Sequence, residues 1–154
     1  MTFNKVPEPG EVQPRISKSS PVDVSDWRVL IVDDVFDNIS IAEAVLQFNG
    51  AEVQHAVNGV IGLKMIDAFK PNLILLDLSM PEMNGWEMHE QLRKSPTTAS
   101  IPVIALTAHA MQGDEEKVMK AGFDGYIAKP FSVTMLVSDI QTILKSINVK
   151  EENA

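Results

Sequence analysis

The stretch LILLDLSMPEMNG, residues 73–85, begins with four apolar side chains, runs into one carboxylate, Asp77, and continues as turn-forming sequence. A strand that is apolar at every position, not at alternate ones, is covered on both faces. Helices do this to the central strands of parallel sheets. Such a strand delivers its last residue, Asp77, to the carboxyl edge of the sheet.

Two further runs read the same way, VLIVD at 29–33 and VIALT at 103–107. With them, strands are expected at Arg28–Asp33, Ala51–Ala56, Asn72–Asp77, Pro102–Thr107 and Gly125–Ala128. Helical spacing fills the gaps. Val35, Ile39, Ala42 and Leu46 form one stripe before Asn49-Gly50, where Gly50 suits a left-handed cap. Asn58 is an N-cap candidate for a helix carrying Ile61, Met65 and Phe69. Further helices are expected near Gly85–Lys94, stopping before Pro96, and over Met111–Ala121, ending at Gly122. The last has Ser132 as its N-cap and Leu136, Ile140, Ile143 and Ile147 on one face. Strict βα alternation with five strands gives an α/β fold, a doubly wound parallel sheet. Ligands of such sheets bind outside the carboxyl ends of the strands.

The 154 residues suffice for one domain with a real core, and 45% hydrophobic with 22% charged is globular composition. Residues 1–26, with four prolines and few large apolar side chains, read as a flexible tail or linker. The fold is expected over 27–147 and a polar end over 148–154. There is no cysteine, hence no disulfide and no thiol chemistry. That composition is compatible with the cytoplasm. No apolar run approaches the about 20 residues that span a membrane. Residues 27–144 hold 8 Lys+Arg against 15 Asp+Glu, a net −7. Without a basic stripe, direct nucleic-acid binding is not expected.

The expected strand ends bring together Asp33-Asp34, Asp77, Thr107 and Lys129. Three neighbouring carboxylates repel one another and need a positive partner. Hard oxygen ligands with room for water suit Mg²⁺. A nearby ammonium and hydroxyl suggest a phosphoryl group as second occupant, and an Asp carboxylate can itself be the nucleophile that takes it. Taken singly, each of these residues has an ordinary explanation as turn former, helix cap or surface group. Their convergence does not. His55, His89 and His109 lack metal-ligand spacing, and Glu115, Glu116 and Lys117 read as a solvated helix face.

Over roughly residues 27–146 the chain resembles the receiver domains of two-component response regulators, in VLIVDDVFDN (29–38), LILLDLSMPEMNG (73–85), IPVIALTAHA (101–110) and AGFDGYIAKPF (121–131). The motifs occur in the family's order, with gaps of 44 residues from Asp33 to Asp77, 30 to Thr107 and 22 to Lys129. The resemblance implies the flavodoxin-like strand order 2-1-3-4-5 and a cis Lys129-Pro130 bond. It implies that Asp77 accepts a phosphoryl group from a histidine kinase or histidine phosphotransfer protein. Asp34, Asp77 and the Ser79 carbonyl would hold Mg²⁺, with Asp33 reaching it directly or through water. Lys129 would pair with the acceptor carboxylate and then with the phosphoryl group. Thr107 would be the switch hydroxyl and Tyr126 the aromatic coupled to it. Ser79 and His109, two positions beyond Asp77 and Thr107, would modulate phosphate lifetime.

The module so implied switches contacts with a downstream protein and turns over no substrate of its own. It would be a stand-alone receiver, or one excised from a hybrid histidine kinase. A Mg²⁺-dependent phosphohydrolase of the haloacid-dehalogenase kind is disfavoured. That pattern wants a second Asp two residues after the nucleophile, where Val35 and Ser79 stand. A flavin binder is disfavoured by two carboxylates where FMN phosphate would sit.

Overall fold

The three continuously apolar runs become the inner strands of a sheet. In the computed structural model, which describes residues 23–108 and 112–152, strands and helices alternate: β1 (Arg28–Val32), α1 (Phe36–Phe48), β2 (Glu52–Ala56), α2 (Gly59–Phe69), β3 (Leu73–Asp77), α3 (Gly85–Lys94), β4 (Val103–Thr107), α4 (Gln112–Lys120), β5 (Gly125–Ala128) and α5 (Leu136–Glu152). All pairings are parallel, in the order β2-β1-β3-β4-β5. Every residue of β3 and β4 is buried, whereas the edge strands β2 and β5 show some exposed positions.

Because successive strand side chains point to opposite faces, the core divides into two layers. Val29, Ile31, Leu73, Leu75, Ile104 and Leu106 pack with Ile39, Ala42 and Leu46 of α1 and Leu136 and Ile140 of α5. Leu30, Val32, Ile74, Leu76, Val103 and Ala105 pack with residues of α2, α3 and α4, among them Ile66, Met88, Leu92 and Val118. Each Val, Leu, Ile or Met side chain among them contributes about 1.5–3 kcal/mol by leaving water. This double cover fixes the direction and length of β3, and so the place of Asp77.

Several expectations change in detail. Val35 is the exposed N-cap of α1 and not part of its buried stripe. Gly50 does take the left-handed conformation, φ +102°. Asn58 caps α2, its side chain accepting from the Ile61 N–H at 2.9 Å. The buried face of α2, however, is Gly59, Gly62, Ile66 and Phe69, and Ile61 is turned outward. The two glycines let α2 approach closely, Gly59 against Met83 and Gly62 against Met88 and Val32. Ser132 does not cap a helix with its side chain. Its hydroxyl pairs with that of Thr134, a turn intervenes, and α5 starts at Leu136, whose N–H reaches the Ser132 carbonyl. Val24, in the expected tail, is buried in the α1/α5 layer. The α5 backbone stays helical through Glu152, into the stretch expected as a polar end.

His89 of α3 is buried, stacked on Phe123 with ring centroids 4.0 Å apart. Among the described residues its Nε2 has no hydrogen-bond partner. Burial first, then the Arg93 charge, push its pKa below the ordinary value of 6.5, against the pull of Gly122, Asp124 and Glu90. A depressed histidine pKa leaves the fold intact above pH about 6.5 and costs stability as pH falls through the folded value. His89→Leu is therefore expected to stabilise by about 1 kcal/mol at neutral pH, by removing an unsatisfied buried polar atom. The gain should widen between pH 6.5 and 5 in urea melts. A pH-independent difference would show that His89 does not titrate in this range.

Candidate functional site

Four strands deliver polar groups to one edge of the sheet. Asp33 directly follows β1, and its N–H still pairs with the Ala56 carbonyl of β2 at 3.1 Å, which fixes its backbone. Asp77 ends β3 and Thr107 ends β4. Lys129 follows β5, held by its own N–H donating to the Thr107 carbonyl at 2.7 Å. The Lys129-Pro130 bond is cis.

Oxygen atoms of Asp33, Asp34 and Asp77 lie within 4.8 Å of one another. Asp33 and Asp77 are buried, while Asp34 is exposed. Lys129 Nζ stands between the buried pair, 3.1 Å from Asp77 Oδ1 and 3.4 Å from Asp33 Oδ2. The Ser79 N–H also donates to Asp77 Oδ1, at 3.2 Å. Asp33 Oδ1 accepts from the Val35 N–H at 2.8 Å, and its Oδ2 accepts from the Asn38 side-chain amide at 3.3 Å.

One ammonium does not balance two buried carboxylates. Desolvation, followed by repulsion from Asp33, raises the Asp77 pKa to about 6 against the opposing pull of Lys129 and the Ser79 N–H. A carboxylate held so far above 3.8 marks a position where further positive charge is favourable. Three carboxylates at this spacing, all hard oxygen donors, fit a Mg²⁺ ion that keeps part of its water shell.

The loop after β3 is built to present this cluster. Asn84 and Glu87 form a reciprocal capping box, each side chain accepting from the other's N–H, at 2.9 and 3.0 Å. That fixes the start of α3 and seats Gly85 against the backbone of Asp77 and Leu78. Glu82 takes a left-handed conformation, φ +68°, and accepts from the Asn58 amide at 3.4 Å, tying the loop to the start of α2.

Of the residues expected at the site, Asp33, Asp34, Asp77 and Lys129 meet in one cluster. Ser79 and Thr107 line an adjoining pocket of about 180 Å³ with Trp86, Asp114 and Lys117. Tyr126 lines a separate groove of about 620 Å³ with Met119, Ile127, Phe131 and Ile143. Its hydroxyl donates to the Glu115 carboxylate, which pushes the Tyr126 pKa upward. Glu115 is thereby half-buried, not on a solvated face as expected. His109 lies outside the described residues. Asn38 was not among the expected site residues, and its place five residues after Asp33, on the first turn of α1, was the available signal.

A five-stranded 2-1-3-4-5 sheet with an acidic cluster and one lysine at its carboxyl edge defines a flavodoxin-like signalling receiver. The chain belongs to the response regulator receiver domains, whose family model matches residues 29–141, and is thus a receiver of two-component signalling. It is 36% identical over 116 residues to the polar-differentiation response regulator DivK of Brucella anthropi, covering 75% of this chain and 94% of that one. Among solved structures it is similar to chemotaxis response regulator CheY4 of Vibrio cholerae, at TM-score 0.71 and 26% identity over 76% of this chain and 98% of that one. It is also similar to the receiver domain of sensor histidine kinase PA1611 from Pseudomonas aeruginosa, at TM-score 0.69 and 30% identity, covering 77% and 98%. That structure has a magnesium ion coordinated in its active-site cleft. Among the described residues of the present chain, no helix is long and apolar enough to cross a membrane.

Proposed function

We propose that this receiver accepts a phosphoryl group on Asp77, with Mg²⁺ held by Asp34, Asp77 and the Ser79 carbonyl and by Asp33 directly or through water. The observation that carries the reading is the buried Asp77 carboxylate, 3.1 Å from Lys129 and within 4.8 Å of two further carboxylates. Asp77 attacks the phosphorus of a phosphohistidine on a histidine kinase or phosphotransfer protein. The P–N bond breaks, and its electron pair leaves with the imidazole. Mg²⁺ supplies charge neutralisation on the phosphoryl oxygens. Lys129 turns from the carboxylates to the new phosphoryl group, which adds roughly −1.5 to −2 charge.

The exposed apolar side chains Phe36, Val57, Val60 and Ile61 lie at the starts of α1 and α2, which follow the carboxyl ends of β1 and β2. They offer the donor protein a contact surface beside the cluster. Thr107 moves toward the phosphoryl group, Tyr126 responds, and the groove between α4, β5 and α5 changes its fit for a downstream protein. Ser79 and His109 set the lifetime of the phosphorylated state, in a cytoplasmic relay.

The test is intact mass spectrometry after incubation with acetyl phosphate. One added phosphoryl group is expected with Mg²⁺, none in EDTA, and none in Asp77→Asn. Persistence of the adduct in Asp77→Asn would place the phosphate elsewhere. Sustained turnover of a phosphate ester would favour a hydrolase.

A further inference from the structure

Asp33 is fully buried, and its two oxygens are held differently. Oδ1 accepts a short bond from the Val35 backbone, whereas Oδ2 is shared by two side chains, Lys129 at 3.4 Å and Asn38 at 3.3 Å. An ionised carboxylate only accepts, so the Asn38 amide must face it with its NH₂ group. This donor is neutral, so it can hold the carboxylate without repelling a cation. It also sits on α1, which is fixed by packing of Ile39 and Ala42 into the core. Lys129 has another task in the proposed reaction and is closer to Asp77 than to Asp33.

We propose that Asn38 is a positioning residue for the metal, its amide holding the Asp33 carboxylate in the metal-facing rotamer when Lys129 turns to the phosphoryl group. The inference rests on the Mg²⁺ reading above and adds a residue that does not itself touch the ion. Hydrogen bonds from outer residues to metal-ligating carboxylates change metal affinity by about 10–100-fold.

Mg²⁺ titration followed by tryptophan fluorescence tests this, because Trp86 lies beside Ser79 and Thr107. Asn38→Ala and the near-isosteric Asn38→Leu both lack the donor, and both are expected to raise the Mg²⁺ dissociation constant about tenfold. Thermal midpoints in EDTA should match wild type, and phosphorylation by acetyl phosphate should return to the wild-type level at saturating Mg²⁺. A wild-type Mg²⁺ affinity in Asn38→Leu would overturn the role of the amide. So would a loss of phosphorylation that saturating Mg²⁺ does not restore, or a fall in the EDTA midpoint that accounts for the weaker binding. If wild-type protein itself gives no Mg²⁺ response, the metal reading fails first, and this inference with it.

Discussion

Gly85→Ala is expected to destabilise the protein by about 3 kcal/mol or more, placing it among the most damaging single substitutions. A Cβ at this position would stand 2.3 Å from the Asp77 carbonyl oxygen and 2.8 Å from Leu78 Cα. Both neighbours are backbone, so no side-chain rotation relieves the contact. The backbone conformation of Gly85 is itself ordinary, and the cost comes entirely from the closeness of α3 to β3. Either α3 moves outward, opening the layer around Met88 and Leu92, or the Asp77 peptide moves and displaces the carboxylate. A thermal midpoint lowered by about 10 °C or more is expected for a chain of this size. Weakened Mg²⁺ binding should persist even where the variant is folded. A midpoint within about 2 °C of wild type would show that the loop yields easily, contrary to the capping box that fixes it.

The second large effect is the pH dependence of Asp77→Asn, measured in EDTA. The folded state raises the Asp77 pKa from 3.8 to about 6, so it binds this proton more tightly than the unfolded chain does. The stabilising contribution is therefore present below pH 3.8 and lost as pH rises through 6. Above pH 7 the wild type bears a cost of about 3 kcal/mol, taking 1.36 kcal/mol per unit. Asn carries no such charge. Asp77→Asn should be more stable than wild type by up to about this amount at pH 7–8, with the advantage shrinking toward zero by pH 4. Taking the difference between the two proteins cancels the opposite titration of His89. Addition of Mg²⁺ should narrow the gap from the wild-type side. A difference that is flat from pH 4 to 8 would mean that the carboxylate is not strained.

The sheet and most of the polar cluster at its carboxyl edge were legible in the sequence because hydropathy reports burial directly. VLIVD, LILLD and VIALT are apolar throughout, and they occupy the inner strands. Asp33, Asp77, Thr107 and Lys129 followed from the strand ends alone. What escaped is what hydropathy does not encode. The face that α2 buries is set by Gly59 and Gly62, whose value is the absence of a side chain. The start of α5 depends on a turn whose hydroxyls bond each other instead of the helix. The contact of Asn38 with Asp33, the bond between Tyr126 and Glu115, and the seat of Gly85 on Asp77 are tertiary relations. No periodicity marks them.

Lys129 is 52 residues from Asp77 and 96 from Asp33, and it directly follows β5, the last strand of the sheet. Its ammonium is placed beside the carboxylates by the pairing of β5 with β4, which the bond from the Lys129 N–H to the Thr107 carbonyl extends. Loop closure over such separations is slow relative to local structure. A chain in which β5 has not paired would carry uncompensated acidic charge at the carboxyl edge formed by β1 and β3. The charge balance of the cluster is thus set by the docking of the last strand, and any change that loosens β5 is felt first by two buried carboxylates.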